Sequence, residues 1–166
     1  MDRPHTYGLY VNSRRPDATA SVAVNASPER IYALVSDPGA LAGVASEYAS
    51  HRWLGGATSA GVGARFRGTN RRGARRWSTV SKVTDATAGK LFAFDVSAFG
   101  IPVSRWRYEI EPAEGGCVVT ESTWDRRPAW FRSPSALVTG VWQRARENQA
   151  NIEATLARLK AVAEDS

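Results

Sequence analysis

Cysteine is almost missing from this chain. Cys117 stands alone, which excludes an internal disulfide framework and offers no thiolate spacing for a metal. It sits in the apolar run Cys117-Val118-Val119, so a buried strand thiol is expected. Histidine is nearly as scarce: His5 and His51 are far apart and join no HxH or HExxH pattern, so no metal and no cofactor are expected. No apolar run is long enough to span a bilayer. The opening residues, MDRPHTYGLYVNSRRPD, lack the apolar stretch of a signal peptide, so the expected location is cytoplasmic. There is no G-x-S-x-G elbow and no recognisable triad. GVGARFRG has the wrong spacing for a dinucleotide fingerprint and opens a strand, not a helix. Acidic residues are absent from the whole stretch between Glu47 and Asp85.

What is present suits one packed domain. The chain has 166 residues, 43% hydrophobic and 10% aromatic, enough for one core without staples. We expect a domain over 17–163, an N-terminal arm over 1–16 with a short strand at Thr6–Val11, and a tail over 164–166. The formal charge is +6 and comes from nineteen arginines against three lysines. With heavy alanine and glycine use, that bias fits a GC-rich genome, so part of the charge needs no anionic partner to explain it.

The pattern along the chain is regular. ATASVAVNA (18–26) alternates small and β-branched residues, a first strand. SPERIYALVSDP (27–38) predicts a short helix: Ser27 caps it, Pro28 fits its first position, Glu29 suits its first turn and Asp37-Pro38 ends it. GALAGVAS (39–46) predicts a second short helix. Strands follow at EYASHRWL, GARFRGTN, ARRWSTVSKVTD, KLFAFDVSAF, PVSRWRYEIE and GCVVTESTWD, separated by turn residues, an antiparallel meander. The segment 134–163 predicts one long amphipathic helix, capped by Ser133, opened by Pro134 and open to bending at Gly140. Its apolar stripe runs through Val138, Val141, Trp142, Ala145, Ile152, Leu156, Leu159 and Ala163, and its length would be ~45 Å.

An antiparallel sheet with one apolar face needs a cover, and only the closing helix is long enough to be one. This order, carried by SPERIYALVSDP, GVGARFRG, RRWSTVSKV, WRYEIEPAEGGCVVTESTW and TLARLK, resembles the START-like (SRPBCC) superfamily, and more narrowly its polyketide cyclase/dehydrase-like, lipid-transport-like branch. The resemblance spans roughly 18–163. It implies an α+β helix-grip (Bet v 1-like) fold: a curved antiparallel sheet of six to seven strands around a long C-terminal helix, with two short helices after the first strand. It also implies a cavity for a hydrophobic ligand. It does not imply one chemistry, because the superfamily includes lipid carriers, hormone receptors, aromatase/cyclases and co-chaperones.

Within that frame the aromatic residues are the candidate lining. Phe66, Trp77, Phe92, Phe94, Trp106, Tyr108, Trp124 and Trp142 are expected around the ligand, with Asn70 and Thr120 as polar fixtures. Core packing explains each aromatic taken singly; six tryptophans taken together point to a lined pocket. Alternation puts Thr120, Ser122 and Trp124 on one face of the last strand and Glu121 and Thr123 on the other. By analogy with Trp106 and Tyr108, the Trp124 face is taken as concave. Asp95, Glu109, Glu111 and Glu121 are then solvated, and Arg105 and Arg107 point outward.

The basic hairpin TNRRGAR turns at Gly73. Arg65, Arg67, Arg71, Arg72, Arg75 and Arg76 are expected on the convex surface and the loop, as a partner surface for an acidic protein such as an acyl carrier or for an anionic membrane. Nucleic acid is disfavoured, because the stacking aromatics it would need are better used inside.

Three functions remain. The first is binding or carriage of a hydrophobic or aromatic small molecule, lipid or polyketide-like. The second is an aromatase/cyclase-like enzyme promoting aldol cyclisation and dehydration, which requires an inward acid–base group. The third is an interaction protein working through the hairpin. An all-apolar lining with scattered hydroxyls favours the first, an inward Asp95, Glu121, Arg105, Arg107 or tyrosine hydroxyl the second, and a filled interior the third.

Overall fold

The computed structural model describes residues 14–45 and 47–165. The strand expected at Thr6–Val11 lies outside them. The elements are β1 (Ala18–Val24), α1 (Pro28–Ser36), α2 (Pro38–Val44), β2 (Tyr48–Leu54), β3 (Arg65–Arg72), β4 (Arg75–Thr87), β5 (Leu91–Ala98), β6 (Ile101–Ala113), β7 (Gly116–Asp125), α3 (Ala129–Thr139) and α4 (Arg144–Glu164). The seven strands form one antiparallel sheet in the order β1-β7-β6-β5-β4-β3-β2. Register slips between Tyr48 and Ser50, Val83 and Asp85, and Val96 and Ser97 add the local bends that curve such a sheet.

The first short helix starts where its sequence predicts. The Ser27 side chain accepts from the Arg30 amide at 3.2 Å and Pro28 opens α1. Asp37 ends α1 and caps α2, accepting from the Gly39 amide at 2.8 Å. These are the side-chain caps that satisfy the orphan amides of a first turn.

The closing segment differs from expectation: it is two helices. Gly140 adopts φ 73°, and its amide bonds the Ala136 carbonyl at 2.7 Å, a left-handed C-terminal stop that glycine takes without steric cost. The first helix begins at Ala129, so Ser133 and Pro134 lie inside it and do not open it. α4 then has 21 residues, ~30 Å, not ~45 Å. Its C-terminal half carries Ile152, Leu156, Leu159 and Ala163 into the core beside Ile31, Val35, Phe92 and Val119. That apolar end fastens the helix to the sheet.

Candidate functional site

Over its first three turns α4 also presents polar side chains toward the sheet, all but the first of them short. Arg144, Asn148, Asn151 and Thr155 follow one another at helical spacing, and all four line a cavity of about 450 Å³. Large apolar residues fill one end of the space under α4, and short polar ones leave the other end open. The sheet side of the cavity is built by alternate residues of β3 to β7, among them Phe66, Asn70, Trp77, Thr79, Ser81, Phe94, Trp106, Tyr108 and Glu121. α3 supplies the roof with Phe131, Pro134 and Val138.

Of the ten residues expected to line it, six do: Phe66, Asn70, Trp77, Phe94, Trp106 and Tyr108. Asn70 donates to the Thr79 hydroxyl at 3.2 Å, and the Trp106 indole donates to Ser104 at 3.0 Å. Phe92 is buried deeper, edge-on to Tyr32 in the core. Trp142 is 68% exposed, in the link between α3 and α4.

Thr120 and Trp124 are on the opposite face. Tyr108 pairs with Glu121 and Trp106 with Thr123 across β6 and β7, and residues directly opposed in an antiparallel pair share a face. Glu121, not Thr120, is therefore on the Tyr108 side. Thr120 bonds Ser21 across the outer surface, and Trp124 packs outside with its indole donating to the Arg14 carbonyl at 2.9 Å. Asp95 is outside as expected, joined to Arg105 and Arg126, both at 2.7 Å. Arg76, expected on the convex face, borders the cavity instead, as does its strand neighbour Ser78.

The expectation that Glu121 is solvated is reversed: it is 2% exposed. The Tyr108 hydroxyl donates to one of its carboxyl oxygens, Oε1, at 2.8 Å, while Oε2 finds no partner. Burial pushes the Glu121 carboxyl up to about 8, against a smaller opposing pull from the Tyr108 bond. Desolvation disfavours the charged form, so near neutral pH this group is largely a carboxylic acid. Burial, and then the carboxyl beside it, raises the Tyr108 phenol well above its usual value.

A second polar cluster, announced by no motif, lies at the α2–β2 side. Glu47 Oε2 accepts from Arg144 at 3.2 Å, and Arg144 also donates to Thr139 at 2.8 Å. Glu47 Oε1 has only an ion pair to Arg72, at 3.9 Å. The Tyr48 hydroxyl is buried without a hydrogen bond. Gly68 on β3 makes room for the Tyr48 ring, since a Cβ there would lie 2.5 Å from Tyr48 Cε2. Where β7 leads into α3, Arg127 grips Asp125 through two bonds of 3.0 and 2.7 Å and donates to Ser135 at 2.8 Å.

A curved antiparallel sheet closed by a C-terminal helix over an internal cavity is the helix-grip, Bet v 1-like class. The chain belongs to the family described as polyketide cyclase / dehydrase and lipid transport, whose model matches residues 15–164. Among solved structures it is similar to the polyketide-cyclase-like protein Cgl2372 of Corynebacterium glutamicum, with 27% identity, TM-score 0.57, and 87% of this chain and 88% of that one covered. It is also similar to protein CV1439 of Chromobacterium violaceum, with 15% identity, TM-score 0.67 and coverage of 89% and 96%. A third is the di-domain aromatase/cyclase BexL of the BE-7585A biosynthetic pathway, with 16% identity and TM-score 0.68, where 89% of this chain matches 50% of that one. The last two likenesses show the fold. No curated protein matches the chain in sequence. Among the described residues, no helix is long and apolar enough to cross a membrane.

Proposed function

We propose that the chain binds and carries a hydrophobic or aromatic small molecule, lipid or polyketide-like, whose oxygen function is held at the Glu121–Tyr108 wall. One observation carries this reading. Among the described residues, the buried side-chain polar atoms without a hydrogen bond are Glu47 Oε1, Tyr48 Oη and Glu121 Oε2, and all three residues line the same cavity. Buried polar atoms are ordinarily satisfied, and leaving one bare costs about 1–3 kcal/mol. A guest with a carbonyl or hydroxyl oxygen would accept from the protonated Glu121 and from Tyr48. Burying its apolar surface against Phe66, Phe94 and Trp106, at ~25 cal/mol per Å², would supply most of the affinity. A cavity of this size falls in the ordinary range for small-molecule sites.

The test is native mass spectrometry of the protein purified from its own host. A retained small molecule, released on denaturation, supports the reading. An empty protein that also takes up no hydrophobic fluorescent probe overturns it.

A second reading is favoured by the inward acid itself. In an aromatase/cyclase-like enzyme, Glu121 would give its proton to a departing hydroxyl, which leaves as water. The resulting carboxylate would take the proton lost from the adjacent carbon. The two readings separate at Glu121→Gln. The amide still donates a hydrogen bond, so carriage survives, whereas turnover of a poly-β-keto chain stops. The hollow interior leaves the third reading, a pure interaction protein, without its main support.

A further inference from the structure

The cavity opens where its lining is itself exposed, and that opening is unusually apolar. Phe99, at the tip of the β5–β6 turn, lines the cavity yet is 98% exposed. Its backbone sits at φ 51°, followed by Gly100 at φ 77°. A bulky side chain in that left-handed region is sterically disfavoured, so a naked phenylalanine is held at a position that suits glycine or asparagine. On α3, Trp130, Leu137 and Val138 are 67%, 65% and 56% exposed. Their spacing puts them on one helical face, and Val138 borders the cavity.

The hairpin beside this patch is basic, and of its arginines Arg72 is already paired, to Glu147 at 3.1 Å. The β3–β4 hairpin carries the exposed Arg71, Arg75 and Arg76, with no acidic residue between Glu47 and Asp85. The hairpin and α3 form one surface: Arg75 donates to the Leu137 carbonyl at 2.6 Å, and Arg76 lines the same cavity as Phe99 and Val138.

We propose that this face docks on an anionic lipid bilayer, with Phe99, Trp130, Leu137 and Val138 entering the interface and the hairpin arginines meeting lipid phosphates. Exposed aromatic and aliphatic side chains next to a cationic collar match the two attractions a membrane surface offers: an apolar interior and a negative headgroup layer. Tryptophan is the residue that favours the boundary between them. An acidic protein would satisfy the arginines but would need a matching apolar relief for a phenylalanine that projects almost entirely into solvent. A fluid bilayer needs no such match. Docked this way, the cavity opens toward hydrocarbon, and an apolar guest moves between membrane and protein without crossing water. The docking does not depend on what the cavity holds, so it can fail while the cavity still binds.

The test is cosedimentation of the whole chain with vesicles of phosphatidylcholine alone or of an equimolar phosphatidylcholine–phosphatidylglycerol mixture. Binding is expected to the mixed vesicles, absent on phosphatidylcholine, and weakened by salt. Phe99→Asn suits the positive φ, so it keeps the fold by thermal melt, and it should weaken binding about tenfold. The double variant Arg71→Glu with Arg76→Glu should weaken it at least about tenfold, since each basic residue near the surface contributes comparably. Sedimentation with neither vesicle, or equally with both, overturns the proposal. So does binding to mixed vesicles that Phe99→Asn leaves unchanged, which would be charge adsorption alone. If the arginine variant instead abolishes capture of an acidic acyl carrier while vesicles never bind, the face belongs to a protein partner.

Discussion

Tyr108 and Glu121 stand opposite each other on β6 and β7, and the phenol hydroxyl donates a 2.8 Å hydrogen bond to one carboxyl oxygen while the other has no partner. The pair is buried on the concave face, so the acid is held protonated by its surroundings and not by a neighbouring charge.

That has a measurable sign. The folded Glu121 carboxyl lies at about 8, above its usual 4.5, so between these values the folded state holds a proton that the unfolded state has lost. Stability therefore declines as pH rises from about 4.5 towards 8, by at most about 1.4 kcal/mol per pH unit from this group, and levels off above. Urea unfolding across that window should show the decline in the wild type and a flatter profile in Glu121→Gln. Identical profiles would mean that Glu121 titrates normally.

Removing the phenol hydroxyl should act in two ways. Tyr108→Phe leaves both carboxyl oxygens bare, at a cost of about 1–3 kcal/mol. It also removes the bond that pulls the Glu121 value down. The unfolding profile should lose stability overall, and its upper plateau should begin at higher pH than in the wild type.

Asn148→Leu should stabilise the fold and abolish its binding. Asn148 is buried on α4, in line with Ile152 and Leu156, and an apolar side chain there would gain roughly 1 kcal/mol or more of burial. The added volume goes into the cavity. A higher melting temperature with loss of hydrophobic-probe uptake is the expected pair of results; unchanged uptake would place the guest elsewhere.

Gly68→Ala is the reverse case, a small addition that the site does not absorb. The new methyl would meet the Tyr48 ring at 2.5 Å, so the ring must move and its hydroxyl with it. A loss of about 1–3 kcal/mol by thermal or urea unfolding is expected, with weaker probe binding.

The strand signals and the first helix cap are plain in the sequence because they are local: alternation, turn glycines, Ser27 before Pro28; the like-looking Ser133-Pro134 falls inside a helix. The concave face is also encoded locally, but in the turn and not in the tryptophans. A two-residue turn at Glu114-Gly115 pairs Ala113 with Gly116, and counting back places Tyr108 opposite Glu121. Choosing the face by its tryptophan put Thr120 and Trp124 inside instead. Trp124 is buried, at 8% exposure, but under the segment at Arg14, a contact that spans most of the chain and leaves no periodic trace. Asn148 did leave one. The apolar stripe of the closing helix skips from Ala145 to Ile152, and the polar residue in that gap is where the helix turns from core to cavity. Glu47, Tyr48 and Arg144 meet only through the fold, and no short-range pattern announces them.

The stop at Gly140 divides the labour of the closing segment. Downstream, α4 is anchored by aliphatic packing that belongs to the core. Upstream, α3 is held to the hairpin largely by guanidinium groups on its peptide oxygens: Arg75 on Leu137 and Arg72 on Gly140. Substitutions along the outer helix can thus remodel the ceiling of the cavity while the keel of the molecule stays intact, which lets one scaffold reshape its hollow without relearning how to fold.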